Sequence, residues 1–101
     1  MIAEKSWAII TNDRQKAEAI IKTLLVLCDP GTVDRTRISK NELCVLFSDG
    51  TQICWHNALL NGVRGVKCGR LLCDRDIDKN VLEHILYGSC YFGEEKDIIW
   101  I

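Results

Sequence analysis

Residues 63–74 read VRGVKCGRLLCD, and this stretch decides the fold. A glycine-rich turn feeds a short apolar run, Arg70–Cys73, that ends in Asp74. A run of that length behind a turn signal has the character of a buried strand. Residues 6–27, SWAIITNDRQKAEAIIKTLLVL, hold a second such run over Ser6–Thr11. Behind it, Ala17, Ile20, Ile21, Leu24 and Cys28 recur at helical spacing, which predicts a helix laid on a sheet. Asn12 is placed to cap that helix, with Gln15 completing a capping box and Asp13 favouring the positive end. Asp29-Pro30-Gly31 stops it.

Between these two units lies a meander. Val33–Ser39 alternates weakly and puts Arg35 and Arg37 on one side of a strand. Leu43–Ser48 and Thr51–His56 flank Asp49-Gly50, a strong hairpin signal. A two-residue turn there predicts the pairs Leu46–Ile53 and Cys44–Trp55. Asn57–Gly65 reads as a loop with one helical turn around Ala58–Leu60. Downstream, Asp78 is placed to cap a second helix, with Ile77 and Leu82 as a staple across the cap. Val81, Leu82, Ile85 and Leu86 form its buried stripe, Gly88 stands at its C-cap, and Ile98–Ile101 is a last strand. The expected fold is α/β: a small mixed sheet with two main helices, in a single domain over residues 1–101.

Bulk properties narrow the function classes. The formal net charge is −1, without the basic excess of a dedicated nucleic-acid binder. Arginines and lysines gather in the middle of the chain and carboxylates at its end, a pattern that suits a two-sided docking surface. The longest apolar run, Leu24–Cys28, is far short of a membrane span. Glu4 and Lys5 follow Met1 with no signal-peptide pattern, so a cytoplasmic location is expected. The six cysteines are then expected as reduced thiols, most of them packed as small hydrophobes. Cys68, beside Lys67 and Arg70, reads as the most reactive. Cys54 and His56 share a strand face, but with Cys68 and Cys73 they make poor zinc spacing, and no metal or cofactor is expected.

The order of these pieces resembles the ATPase core of phage terminase large subunits and related RecA-like helicases. IITNDRQKAEAI matches a strand and helix of that core, LCVLFSDGTQICW its hairpin, and RGVKCGRLLCDRD its acidic strand, over roughly residues 6–78. The resemblance implies a truncated RecA-like topology of the P-loop NTPase kind, and a phage or mobile-element origin. Asp74 falls at the metal-holding position of the family. Arg75 stands where the family has its catalytic glutamate, and only five residues precede the first strand, leaving no room for the phosphate-binding loop. Arginine does not act as a base at neutral pH, so the expectation is a protein without ATPase activity.

What remains is binding. The leading expectation is an accessory protein, inhibitor-like or adaptor-like (anti-defence, for example), that docks on a protein or nucleoprotein complex in the host cytoplasm. Its contact residues are Arg64, Lys67, Arg70, Asp74 and Arg75 on a basic rim, and Tyr91, Phe92, Glu94 and Glu95 on an acidic segment. Thr11 and Asn12, before a helix N-terminus, are anion-binding candidates. The alternatives are direct nucleic-acid or nucleotide binding through the same rim, and a cysteine-based zinc or redox switch. A homodimer through the last strand is a further option.

Overall fold

A computed structural model describes residues 5–88 and 90–101; Glu4 of the amino-terminal reading and Ser89 lie outside them. The elements follow the expected order. Strand β1 is Ser6–Ile10, helix α1 Arg14–Leu27, and strands β2 Val33–Ile38, β3 Leu43–Phe47 and β4 Gln52–His56 form the meander. A short helix α2 (Leu60–Val63), strand β5 (Arg70–Cys73), helix α3 (Lys79–Tyr87) and strand β6 (Ile99–Trp100) complete the chain. The strands make one mixed sheet of six in the order β2-β3-β4-β1-β5-β6. β1 runs parallel to both β4 and β5, and β5 parallel to β6, while β3 runs antiparallel to both β2 and β4.

Side-chain alternation along the central strand explains the layering. Ala8 and Ile10 face one way, packed with Leu71 and Cys73 of β5, Val63 of α2, and Val81 and Ile85 of α3. Ile9 faces the other way, packed with Leu43, Val45 and Ile53 and with Ala17 and Ile21 of α1. A strand buried on both faces needs apolar residues at successive positions, which is why SWAII and RLLC read as continuous runs. The result is helix, sheet, helix.

Three local expectations are corrected. The cap of α1 is Asp13, whose carboxylate accepts from the Lys16 N–H; Asn12 Oδ1 instead accepts from the Ala58 N–H at 2.9 Å. Asp13 wins the position because Asn12 is drawn off to fix the chain leaving β4. The hairpin turn has three residues rather than two. Phe47 N–H bonds to the Thr51 carbonyl at 2.8 Å, Gly50 N–H bonds back to the Phe47 carbonyl at 3.0 Å, and Gly50 has φ +91°. A type I turn followed by a left-handed glycine accommodates Asp-Gly as well as a type I′ turn does. The extra loop residue shifts the register by one, so Cys44 faces Cys54 and Val45 faces Ile53. Cys44 and Cys54 are joined as a disulfide, against the expectation of reduced thiols throughout.

The edges are unlike. β2 carries a register shift between Val33 and Arg35 and is charged at Asp34, Arg35 and Arg37, features that discourage pairing. β6 is apolar but only two residues long. No helix among the described residues is long and apolar enough to cross a membrane.

Candidate functional site

The carboxyl ends of β1, β4 and β5 meet at Thr11. Its N–H donates to the His56 carbonyl at 3.2 Å, and its own carbonyl accepts from Trp55 Nε1 at 2.8 Å. Its hydroxyl donates to Asp74 Oδ2 at 2.5 Å and accepts the Asp13 N–H at 3.0 Å. Asp74 in turn donates its N–H to the Ile10 carbonyl at 2.9 Å. A residue fully excluded from solvent thus ties three strand ends and the entry of α1 together.

Asp74 is engaged on both carboxylate oxygens. Oδ1 accepts the Asp76 N–H at 3.0 Å and lies 3.6 Å from Lys16 Nζ. The Thr11 hydroxyl, then the Asp76 N–H and the Lys16 ammonium, hold its pKa below the ordinary carboxylate value. The group is therefore a stable anion, neutralised locally by a lysine that sequence reading did not single out. Lys16 stands one helical turn from Asn12 and Asp13, so its reach to the end of β5 depends on the crossing of α1 over the sheet.

Beside this knot a groove of about 710 Å³ runs from Asn12 past Leu59, Leu60 and Arg64 to Asp76 and Asp78. Leu59 and Leu60 are 55% and 44% exposed on its wall. They belong to the ALLNG segment, where a short helical turn was expected without any role. A second hollow of about 400 Å³ opens at the amino ends of β1 and β4 and the carboxyl end of β3, between Trp7, Leu24, Phe47 and Ile53. Its polar lip is already committed: Ser48 Oγ donates to the Thr32 carbonyl at 3.2 Å, and Thr32 Oγ1 to the Asp29 carbonyl at 2.7 Å.

The expected basic rim is divided. Arg64 lines the carboxyl-end groove, and Arg75 follows Asp74 at that same end. Arg70 opens β5 at the opposite end, roughly 16 Å away at strand rise over five residues. Lys67 goes with Arg70: its Nζ sits 5.7 Å from the centroid of the Phe92 ring, and Cys68 and Tyr91 form a parallel bridge next to it. The loop 64–69 crosses from one end of the sheet to the other and so separates residues that are close in sequence.

Other site expectations also change. Tyr91 is not a surface aromatic; it is 7% exposed, and its hydroxyl donates to the Glu94 carbonyl at 2.7 Å. Burial, with the nearby Asp97 charge, raises its pKa. Phe92 is exposed as expected, with Glu94 and Glu95 following it on the surface. Of the anion-binding candidates, Thr11 donates its hydroxyl to Asp74 and Asn12 accepts the Ala58 N–H through Oδ1, while the Asp13 carboxylate takes the Lys16 N–H at the helix end. Cys68 is not a reactive thiol; burial pushes its pKa up to about 12. Among the described residues no group of three metal-ligating side chains comes together.

Comparison with family models, curated proteins and solved structures finds no match to the chain. The likeness to terminase cores therefore rests on the residues themselves.

Proposed function

We propose that the chain is a non-catalytic docking module, of the phage or mobile-element accessory kind, that engages a protein or nucleoprotein complex in the host cytoplasm through the carboxyl-end groove. The observation that carries this reading is the state of Asp74. Its oxygens are taken by Thr11, Lys16 and its own turn, with Arg75 next in sequence, so the carboxylate serves as a structural tie. An exposed leucine pair, Leu59 and Leu60, lines the adjacent groove together with Arg64, Asp76 and Asp78. Apolar anchors inside a polar rim of both signs are the anatomy of a protein contact. The inhibitor or adaptor role is drawn from the small size and the missing catalytic parts, and the phage-type origin from the sequence resemblance alone.

The test is capture of partners from the native host, followed by the mass of the purified complex. Leu59→Glu/Leu60→Glu and Arg64→Glu should each weaken the complex at least tenfold, as loss of an interface anchor does. Both sites are exposed, so the fold should change by no more than about 0.5 kcal/mol. Arg70→Glu, at the other end of the sheet, should leave binding intact. Equal loss from Arg64→Glu and Arg70→Glu would refute the groove. ATP turnover by the purified chain would refute the non-catalytic reading. Salt-dependent retention on single-stranded DNA without any protein partner would replace it with direct nucleic-acid binding.

A further inference from the structure

The register of the hairpin isolates one pair of cysteines. Phe47 and Thr51 close the turn as a hydrogen-bonded pair. Alternation along antiparallel strands then makes Leu46–Gln52 a non-hydrogen-bonded pair, Val45–Ile53 a bonded one, and Cys44–Cys54 non-bonded again. Side chains approach most closely at non-bonded pairs, and the Cα atoms of Cys44 and Cys54 are 4.2 Å apart. Neither residue belongs to either hydrophobic cluster, and both are only half-buried.

Their surroundings are basic. Arg37 pairs with Cys44 and Arg35 with Leu46 across β2 and β3, so both guanidinium stems rise from the same face of the sheet. With Cys44, Leu46 and Gln52 they line a hollow of about 170 Å³. Arg37 is paired with Glu42 at 3.3 Å, both of them exposed. The remaining cysteines differ in kind. Cys68, Cys73 and Cys90 are buried, and burial raises the first to about 12 and the second to about 11. Cys28 stands alone at the end of α1.

We infer that Cys44 and Cys54 form a thiol–disulfide exchange site whose substrate class is an anionic low-molecular-weight disulfide of the glutathione kind. Positive charge favours the thiolate form of a neighbouring cysteine, and guanidinium groups bind carboxylates in a fork. The reduced pair exchanges in two steps. One thiolate attacks a sulfur of glutathione disulfide and expels a glutathione thiolate, leaving a mixed disulfide. The second protein thiolate attacks the protein-side sulfur, closes Cys44–Cys54 and expels the second glutathione thiolate. Two protein thiols are oxidised, one glutathione disulfide is reduced to two glutathiones, and the thiol protons pass to solvent. Excess reduced glutathione runs the sequence backwards.

The test uses the full chain, reduced and then transferred to glutathione disulfide. Peptide mapping by mass spectrometry should find a Cys44–Cys54 crosslink and no other. Cys54→Ser should stop at one glutathione adduct on Cys44. Arg35→Ala/Arg37→Ala should slow oxidation by glutathione disulfide roughly three- to tenfold, the scale of two exposed charge pairs. It should slow oxidation by uncharged hydroxyethyl disulfide clearly less, through the lost thiolate stabilisation alone. Circular dichroism of each variant checks that the hairpin is intact. A pair that stays reduced under these conditions, or a crosslink mapped to any other cysteines, overturns the site. Equal slowing with both disulfides overturns the arginine seat.

Discussion

Replacing Thr11 by valine should cost about 2–3 kcal/mol at pH 7. The substitution conserves volume, so no cavity term enters. What is lost is a hydroxyl that donates to an ionised Asp74 at 2.5 Å and accepts the Asp13 N–H at 3.0 Å. A hydrogen bond to a charged group contributes about 1.5–3 kcal/mol. The second bond contributes little, because Asp13 is exposed and water replaces its acceptor. For a domain of this length each kcal/mol moves the melting temperature by about 4–8 °C, so a drop of roughly 10–20 °C should appear in thermal denaturation. The same substitution in an Asp74→Asn background removes only a neutral hydrogen bond and should cost about 1 kcal/mol. The coupling between the two sites, read from urea melts of the four proteins, is then about 1–2 kcal/mol. Additive effects, or a Thr11→Val cost below about 0.5 kcal/mol, would show that the three strand ends are not tied through this hydroxyl.

Stability should decline on acidification in two stages, followed by urea midpoint against pH. Burial holds the folded-state pKa of His56 below its unfolded value of about 6.5, so the unfolded chain binds more protons as pH drops below that value and the first loss begins there. Asp74 is also depressed, so its contribution is complete above about pH 4 and disappears as pH falls through the folded value; Asp74→Asn should shrink that second stage, leaving the part due to the depressed Glu18 and Asp49 carboxylates. Asp78→Ala removes the carboxylate that accepts the Asn80 N–H at 2.8 Å and should cost about 1 kcal/mol by chemical denaturation. Gly50→Ala places a Cβ on a backbone with φ +91° and should cost at least about 1 kcal/mol; a neutral result would argue for a different turn.

The candidate site was legible only in fragments. Asp74 stood out as the acid closing an apolar run, and Arg64 and Arg75 as charges near it. Lys16, Leu59 and Leu60 gave no signal, because their roles come from the crossing of α1 and from a loop wall that no periodicity describes. Tyr91 gave a false signal: an aromatic in a polar, glycine-containing segment reads as exposed, yet the bridge to Cys68 draws it under the end of α3.

Local chemistry alone determined which segments form strands and helices here. Two-sided burial writes continuous apolar runs for β1 and β5, a 3.6-residue stripe writes α1 and α3, and the Asp78 carboxylate at one end and the Gly88 backbone N–H at the other bound α3. Tertiary structure decided what lies beside what. One extra residue in the Ser48–Gly50 turn moved Cys44 from Trp55 to Cys54, because strand alternation has a period of two and a single-residue slip exchanges the faces. The length of β5 separated Arg70 from Arg75, and packing of α1 across the sheet brought Lys16 to Asp74.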